Sequence, residues 1–266
     1  MGMDTELWVQ QAINEVERQD GRSVSVEREK NSITRLGRNF DMTADVPSII
    51  WNVGINDETL PASGSNPIDR VSSSSASDVE TIALLGHTSD AFGNKSVVSL
   101  VITLNGQTPV VIDPPLHRVV DVARNAPPPL VGDVYVYEDS AVVSGVPSDL
   151  TKVHSKIDGS LGYQRGNKAA VTISSDVYFF ITSWSFSIDR QQSGFCDFTL
   201  DTKNLDGVFI ERAVGTCSRD SGTDLMLFRP FLIMRPNADL FVRGTANGTG
   251  IRATTQVSGI VASIRS

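Results

Sequence analysis

The residues of this chain that could do chemistry are a run of serines, three histidines, two cysteines and scattered carboxylates. The serines occupy positions 72–75, within VSSSSASD. A hydrolytic serine commonly sits on a tight turn of the form G-x-S-x-G, and the sequence lacks that pattern. The Asp-Ser-Gly triplet at 220–222 is too short to indicate a serine protease. We interpret Ser72 to Ser75 as hydroxyls that bond nearby backbone at a bulge or at a bending sheet edge.

The histidines and carboxylates form no recognisable catalytic or metal-binding pattern. His87, His117 and His154 stand singly, without the spacing that brings two metal ligands to one face. Asp201 and Asp206 do not amount to the carboxylate pair of a glycosidase. Calcium-loop, phosphate-loop and dinucleotide-binding patterns are also missing from the sequence. We therefore expect surface or sheet-edge histidines, no metal, no cofactor and no enzymatic activity.

Charge and composition argue against nucleic-acid and membrane partners. The net charge is −8, and the 23 Lys and Arg residues are scattered, whereas a nucleic-acid groove needs them clustered. No apolar run reaches the length of a membrane helix, and no signal peptide or myristoylation motif is readable. Cys196 and Cys217 are too few for a disulfide scaffold or a zinc cage. Free buried thiols and synthesis in a reducing cytoplasm are expected.

Only the N-terminal stretch predicts a helix. In DTELWVQQAINEVERQDG, Trp8, Ala12, Ile13 and Val16 fall on one face at helical spacing. The stripe is narrow and the opposite face is charged, so such a helix is marginal alone in water and needs a surface to lie on. We interpret residues 1–44 as an N-terminal helix and extended arm, whose apolar stripe is covered only in an assembly.

From Val46 onward the apolar pattern has period two, which predicts β-strands. In DVYFFITSWSFSIDR the alternation places five residues on one face: Phe180, Thr182, Trp184, Phe186 and Ile188. Many short strands separated by Gly, Pro, Asn and Asp turns, with no alternation of strands and helices, predict an all-β fold. We expect an antiparallel β-sandwich over residues 45–266.

Three local features punctuate this region. Asn105-Gly106 predicts a hairpin between its flanking strands, because both turn positions accept positive φ. Pro127, Pro128 and Pro129 predict a stiff exposed loop or, alternatively, a groove ligand for a partner domain. Residues 139–168 are predicted to leave the sheets as a long excursion, a kind of segment that often carries binding.

The segment VSSSSASDVETIALLGHTSDAFGNKSVVSLVITLNGQTPVVI resembles a group of tailed-bacteriophage virion proteins. In that group a serine run and an acidic spacer precede a strand that ends in Gly, and a later strand ends in a TLNGTT-like hairpin, matched here by residues 103–108. VYFFITSWSFSIDR and LFRPFLIMRPNADLFVRGTA resemble further strands, so the likeness covers about residues 45–264. The spacer SDVET is shorter than in the group, and the helix and triple proline have no counterpart. The resemblance implies an all-β, jelly-roll-like head decoration or tail-associated protein.

These observations predict a non-enzymatic virion structural protein, assembled in the host cytoplasm, that decorates or cements the capsid or attaches at the head–tail or tail region. The expected partners are major capsid, portal, neck or tail proteins and further copies of the chain, in a trimer or similar ring that hides strand edges. The predicted partner-docking residues are Leu7, Trp8, Ile13, Val16, Pro127, Pro128 and Pro129. The alternatives are a tail-tip or fibre-like adhesin that binds host surface glycan through residues 139–168, and a polysaccharide-degrading spike.

Overall fold

A computed structural model describes residues 3–26, 32–53, 61–62, 64–189, 194–203, 209–218 and 222–265. Over these ranges the chain forms one α-helix, nineteen strands and two short 3₁₀ turns, at Leu150–Lys152 and Gly159–Leu161. The first elements are α1 (Met3–Asp20), β1 (Val24–Ser25), β2 (Ser32–Met42), β3 (Ser48–Ile49), β4 (Ile68–Ser73), β5 (Thr81–Ser89), β6 (Lys95–Thr103), β7 (Val110–Leu116), β8 (Arg118–Arg124) and β9 (Val134–Glu138). The remaining strands are β10 (Val142–Val143), β11 (Val146–Pro147), β12 (Val153–Ile157), β13 (Ala170–Thr172), β14 (Val177–Ile188), β15 (Phe195–Lys203), β16 (Phe209–Ser218), β17 (Thr223–Met234), β18 (Asp239–Ala246) and β19 (Ile251–Ile264).

Two facing sheets form a jelly roll. Sheet A has the order β1-β19-β14-β17, with β2 beside β1 on the same neighbour β19. Sheet B has the order β13-β18-β15-β16, with β3 also on β18. The strands of these two sheets can be numbered 1 to 8 along the chain, starting from β2 and counting β3 and β13 as one interrupted strand. In these numbers sheet A has the order 1-8-3-6 and sheet B the order 2-7-4-5. This is the double Greek-key order of a jelly roll, so the predicted antiparallel, jelly-roll-like sandwich is confirmed.

A second sandwich is inserted between β3 and β13. Sheet C has the order β12-β9-β4-β7 and sheet D the order β6-β5-β8, while β10 and β11 form a separate small hairpin. The structure therefore differs from the single sandwich expected over residues 45–266. It also differs from the expected excursion at 139–168, because β12 lies within that range and pairs with β9 in sheet C.

The predicted hairpin at Asn105-Gly106 is wrong. The strand before the turn, β6, belongs to sheet D, and the strand after it, β7, belongs to sheet C. Only the bridge between Asn105 and Thr108 closes the turn. Gly106 does have the positive φ expected of this dipeptide, at 56°. The turn carries the chain from one sheet to the facing one, so its two strands never become neighbours.

Each sandwich has its own apolar core, and a bulge decides which side chains of β14 enter it. The register of β14 shifts between Ile181 and Ser183 against both neighbouring strands. Trp184 therefore faces the core between sheets A and B, where its Nε1 donates to Thr255 Oγ1 at 2.8 Å. Phe180 lies on the opposite face of sheet A, under the helix. The predicted common face for Phe180 and Trp184 is wrong because the bulge interrupts the alternation.

The predicted helix is present as α1, and it lies against the outer face of sheet A. Val16 is 2% exposed and packs with Tyr178 and Phe180 of β14. The C-terminal end is fixed by Asp20, which accepts a hydrogen bond from Tyr178 Oη at 2.8 Å and pairs with Arg235 at 2.9 Å. The strand β2 then runs along β19 as a full member of sheet A. The described residues of this region, 3–26 and 32–44, thus differ from the expected arm, because the apolar stripe of the helix is covered by the same chain.

Candidate functional site

Of the predicted docking residues of the helix, three pack against the chain's own sheet A and one is exposed to solvent. Val16 is buried, and Trp8 and Ile13 are half-buried against the same apolar cluster. Leu7 is 56% exposed. Because Trp8, Ile13 and Val16 already contact sheet A, Leu7 is the helix residue of this set with the most surface left for a partner.

Exposed apolar side chains also lie on β17, the edge strand of sheet A that the helix contacts. Leu225 and Leu227 are 57% and 59% exposed. Beside Leu227 a groove of about 250 Å³ runs between Trp8 and the sheet, with Phe231 and further apolar side chains in its walls. We call the surface formed by Leu7, Trp8, Leu225 and Leu227 the β17 face. An edge strand with exposed apolar side chains is a surface on which another chain can dock.

The triple-proline loop is exposed, as predicted, and is held at its C-terminal side. Pro127, Pro128 and Pro129 are all exposed. The following Leu130 donates its N–H to Gln164 Oε1 at 2.9 Å, and Asp78 accepts from the next two backbone N–H groups at 2.8 and 2.9 Å. The loop is thus presented from a fixed base, while its role in docking stays a prediction.

The serine run bonds neighbouring backbone and side chains, as predicted, but not at a sheet edge. Ser72 Oγ lies 2.7 Å from the carbonyl oxygen of Gly145, in the β10–β11 hairpin, and Ser73 Oγ lies 2.5 Å from Asp78 Oδ2. Both serines are buried in β4, which lies between β9 and β7 inside sheet C. The chain bends directly after Ser73. The hydroxyls therefore tie the small hairpin and the bend to the inserted sandwich.

A buried ionic cluster joins the two sandwiches. Asp239 of β18 pairs with Lys95 Nζ at 3.0 Å and with Arg118 at 3.4 Å, and it accepts a hydrogen bond from Thr172 Oγ1 at 2.7 Å. Lys95 and Arg118 belong to sheet D of the inserted sandwich, whereas Asp239 and Thr172 belong to the jelly roll. Burial by itself raises the pKa of Asp239, but Arg118 and Lys95 outweigh that effect and hold the pKa below its usual range.

The histidines are buried, which corrects the expected surface placement, although His154 does lie on an edge strand, β12 of sheet C. His87 and His117 are 3% and 2% exposed, and both lie beside the ionic cluster. Burial, together with the adjacent cations, lowers the pKa of each to about 4. His154, also buried, places Nε2 3.0 Å from Glu138 Oε1. His87 lies in β5, His117 between β7 and β8, and His154 in β12, a placement that the spacing of residues in a single sequence does not encode.

The apolar part of the junction also draws on both sandwiches. Ile49 of β3 and Phe241 of β18 share one cluster with Tyr137 of β9 and Val153 of β12. Nearby, the amide of Asn52 hydrogen-bonds the carboxylate of Asp158. Sequence reasoning missed this junction, since its members are single residues at strand ends with no common motif.

Among the remaining candidate residues, both cysteines and Asp201 are buried. Cys196 and Cys217 are free and buried, as predicted, and burial raises the pKa of Cys196 to about 12. Asp201 is buried and pairs with Arg243 at 2.7 Å. Asp206 and the Asp220-Ser221 pair lie outside the described residues. Within the described ranges, no three His, Cys, Asp or Glu side chains are grouped as metal ligands, and no helix is long and apolar enough to span a membrane.

Comparisons with known proteins give only weak similarities. No family model and no curated protein matches the chain. Among solved structures, the infectious bursal disease virus Gt strain is 10% identical, with coverage of 96% of this chain and 83% of that chain at a TM-score of 0.20. The VP2 subviral particle of infectious bursal disease virus is 12% identical, with coverage of 95% and 77% at a TM-score of 0.20. Similarities this low carry no argument about function, which must come from the chain's own topology and surfaces.

Proposed function

We propose that this chain is a structural subunit of a virus particle, of the tailed-bacteriophage kind that its sequence resembles, and that it acts by protein–protein binding without catalysis. The jelly-roll strand order carries the proposal, because this double-sheet architecture recurs in viral capsid domains. A fold hosts many functions, so a binding surface on the same jelly roll is needed as further support.

The β17 face supplies that surface. It combines the exposed Leu7, Leu225 and Leu227 with an adjoining apolar groove. A neighbouring virion subunit, either another copy of this chain or a coat, neck or tail protein, would bury these side chains and cover the edge of sheet A. The identity of the subunit that occupies this face would then decide the role of the chain. It would be decoration or cementing of a capsid in one case and attachment at the head–tail region in the other.

Two substitutions on β17 test the proposal. Leu225→Asp and Leu227→Asp place charges on exposed positions, so the melting temperature should stay close to that of the parent chain. Because a buried interface does not accept an unpaired carboxylate, both variants should lose oligomers in light scattering and lose co-sedimentation with virus particles. The matched control is Val143→Asp, at a position 70% exposed on the β10–β11 hairpin.

Parent-like assembly and particle binding by both β17 variants would contradict the docking surface. Glycan-array binding by the purified chain, without any particle binding, would instead favour the adhesin hypothesis. Release of sugar fragments from a polysaccharide would contradict a non-enzymatic role.

A further inference from the structure

A cavity of about 210 Å³ lies between the jelly roll and the inserted sandwich. One wall comes from β2, including Arg35, and the opposite wall comes from β8 and residues 165–168. Its charged and amide-bearing side chains are Arg35, Asp121, Arg165, Asn167 and Lys168. The cavity therefore sits where a bound molecule would touch both sandwiches.

Two residues of the cavity lining each carry a buried hydrogen-bond donor without a partner. Arg35 Nε and Asn167 Nδ2 each lie out of solvent and make no hydrogen bond among the described residues. Asn167 is only 7% exposed. A buried donor without an acceptor costs free energy, and native proteins leave few of them unpaired. Both groups donate and neither can accept, so the missing partner must be an acceptor.

The charges of the lining favour an anionic acceptor. Among the described residues, Asp121 is the one carboxylate of the lining, and Arg165 binds it through Nε at 3.0 and 3.1 Å and through its terminal nitrogen. Arg35 approaches the same carboxylate only to 3.9 Å. Two arginines thus face one carboxylate, and the ammonium group of the third cationic residue, Lys168, donates to the carbonyl oxygen of His154 at 2.9 Å. This local excess of positive charge occurs in a chain whose net charge is −8.

We propose that the cavity binds a small oxyanion, a carboxylate or phosphate group, that accepts hydrogen bonds from Arg35 and Asn167. Guanidinium groups match the oxygens of carboxylates and phosphates, which supports this chemistry over a neutral ligand. The volume is below that of pockets for drug-sized molecules, so it suits one such group or a single acidic sugar. Since both walls contribute, the bound anion stabilises the docked arrangement of the two sandwiches.

Calorimetric titration of the full chain tests the proposal with two anions. Inorganic phosphate probes a phosphate source, and glucuronate probes the carboxylate of an acidic sugar. Glucose and potassium chloride of matched ionic strength are the controls. We expect saturable heat from at least one anion, with Kd on the order of 1 mM or below, and a melting temperature that rises with its concentration. The anion that saturates identifies the source. Saturation by neither anion overturns the proposal.

Substitutions in the cavity locate the site. Asn167→Leu and Arg35→Met should each weaken binding by about tenfold or more, because each removes one donor to the anion. Arg252→Gln is the matched control, at an arginine whose side chain is 61% exposed and outside the cavity lining. If Arg35→Met does not fold, Asn167→Leu keeps the test decisive. Parent-like affinity in Asn167→Leu places the anion elsewhere and overturns the assignment. These assays do not depend on particle assembly.

Discussion

At the scale of single residues, the burial of His87 and His117 beside the ionic cluster predicts that the folded chain loses stability in acid. His87 faces Lys95, His117 and Arg118 as well as the carboxylate of Asp239. Burial, and next the charge of Lys95, lower the pKa of His87 from 6.5 to about 4 in the folded chain. Between pH 6.5 and 4 the unfolded chain therefore binds more protons than the folded one. The free energy of unfolding falls as the pH falls through that window.

We predict that His87→Gln flattens this pH dependence. A pKa lowered from 6.5 to about 4 corresponds to a loss on the order of 3 kcal/mol by pH 4. Without His87 that part of the loss disappears, while the similar contribution of His117 remains. Urea unfolding at several pH values from 7 to 4 measures the change. An unchanged slope in the variant would contradict the assignment, and His117→Gln provides the parallel measurement on the neighbouring ring.

A second residue-scale prediction concerns Gly145 in the β10–β11 turn. Its φ is +77°, and a Cβ there would lie 1.8 Å from the carbonyl oxygen of Ser73. Gly145→Ala must therefore move backbone in addition to accepting a strained φ. The control is Gly162→Ala, which has φ +82° but nothing within 4 Å of the added atom, so it isolates the conformational cost of about 1–2 kcal/mol. Denaturant unfolding should show the larger loss for Gly145→Ala, and equal losses would contradict the close contact.

At the scale of elements, α1 stabilises the jelly roll by packing on sheet A and also borders the proposed docking surface, the β17 face. The side chain of Val16 points from the helix onto β14 and is buried there, whereas Leu7 of the same helix is 56% exposed. Substitutions at these two positions therefore test separately what the helix contributes to folding and what it contributes to the proposed binding.

We predict that an aspartate placed at each of these two positions changes a different property of the protein. Val16→Asp buries a carboxylate without a partner and should lower the free energy of unfolding by several kcal/mol. Leu7→Asp should leave that free energy within about 0.5 kcal/mol of the parent and weaken only particle binding. Thermal unfolding and co-sedimentation measure the two properties. A stable Val16→Asp variant would contradict the packing of the helix, and undiminished binding by Leu7→Asp would remove that residue from the β17 face.

The helix and the strand class were predictable from sequence because each depends on local periodicity. Trp8, Ile13 and Val16 recur at helical spacing, and the later strands alternate. The pairing of strands was not predictable in the same way. Asn105-Gly106 looks like a hairpin turn locally, yet β6 and β7 find their partners in facing sheets. The bulge beyond Ile181 likewise depends on β17 and β19, which lie far along the chain.

At the scale of the whole molecule, two sandwiches are joined by a junction that no local sequence motif predicts. Asp239 lies far along the chain from Lys95 and Arg118, and the ion pairs between them join β18 of the jelly roll to sheet D of the inserted sandwich. The sequence therefore allowed a prediction of β-sheet architecture but not of the junction. Both sandwiches show the same alternating pattern, so the pattern could not reveal that one interrupts the other.

We predict that Asp239→Asn weakens the coupling between the sandwiches. The change leaves Lys95 and Arg118 buried without their carboxylate, which should cost about 3–5 kcal/mol. Calorimetry should show one unfolding transition for the parent chain and a broadened or split transition for the variant. Asp41→Asn, at an exposed carboxylate of β2, is the control and should stay within about 0.5 kcal/mol of the parent. Unchanged stability in Asp239→Asn would contradict the junction.

The place of the insertion has its own consequence. The chain leaves the jelly roll after β3 and returns at β13, and both of these strands pair with β18, within Asp239–Gly244. Departure and return are therefore near neighbours, the geometry in which an extra domain can be accommodated without disturbing its host. Lineages could exchange this cassette for another while keeping the same scaffold, provided that the replacement also shields Ile49 and Phe241. The same jelly roll would then carry different inserted domains without any change to its own two sheets.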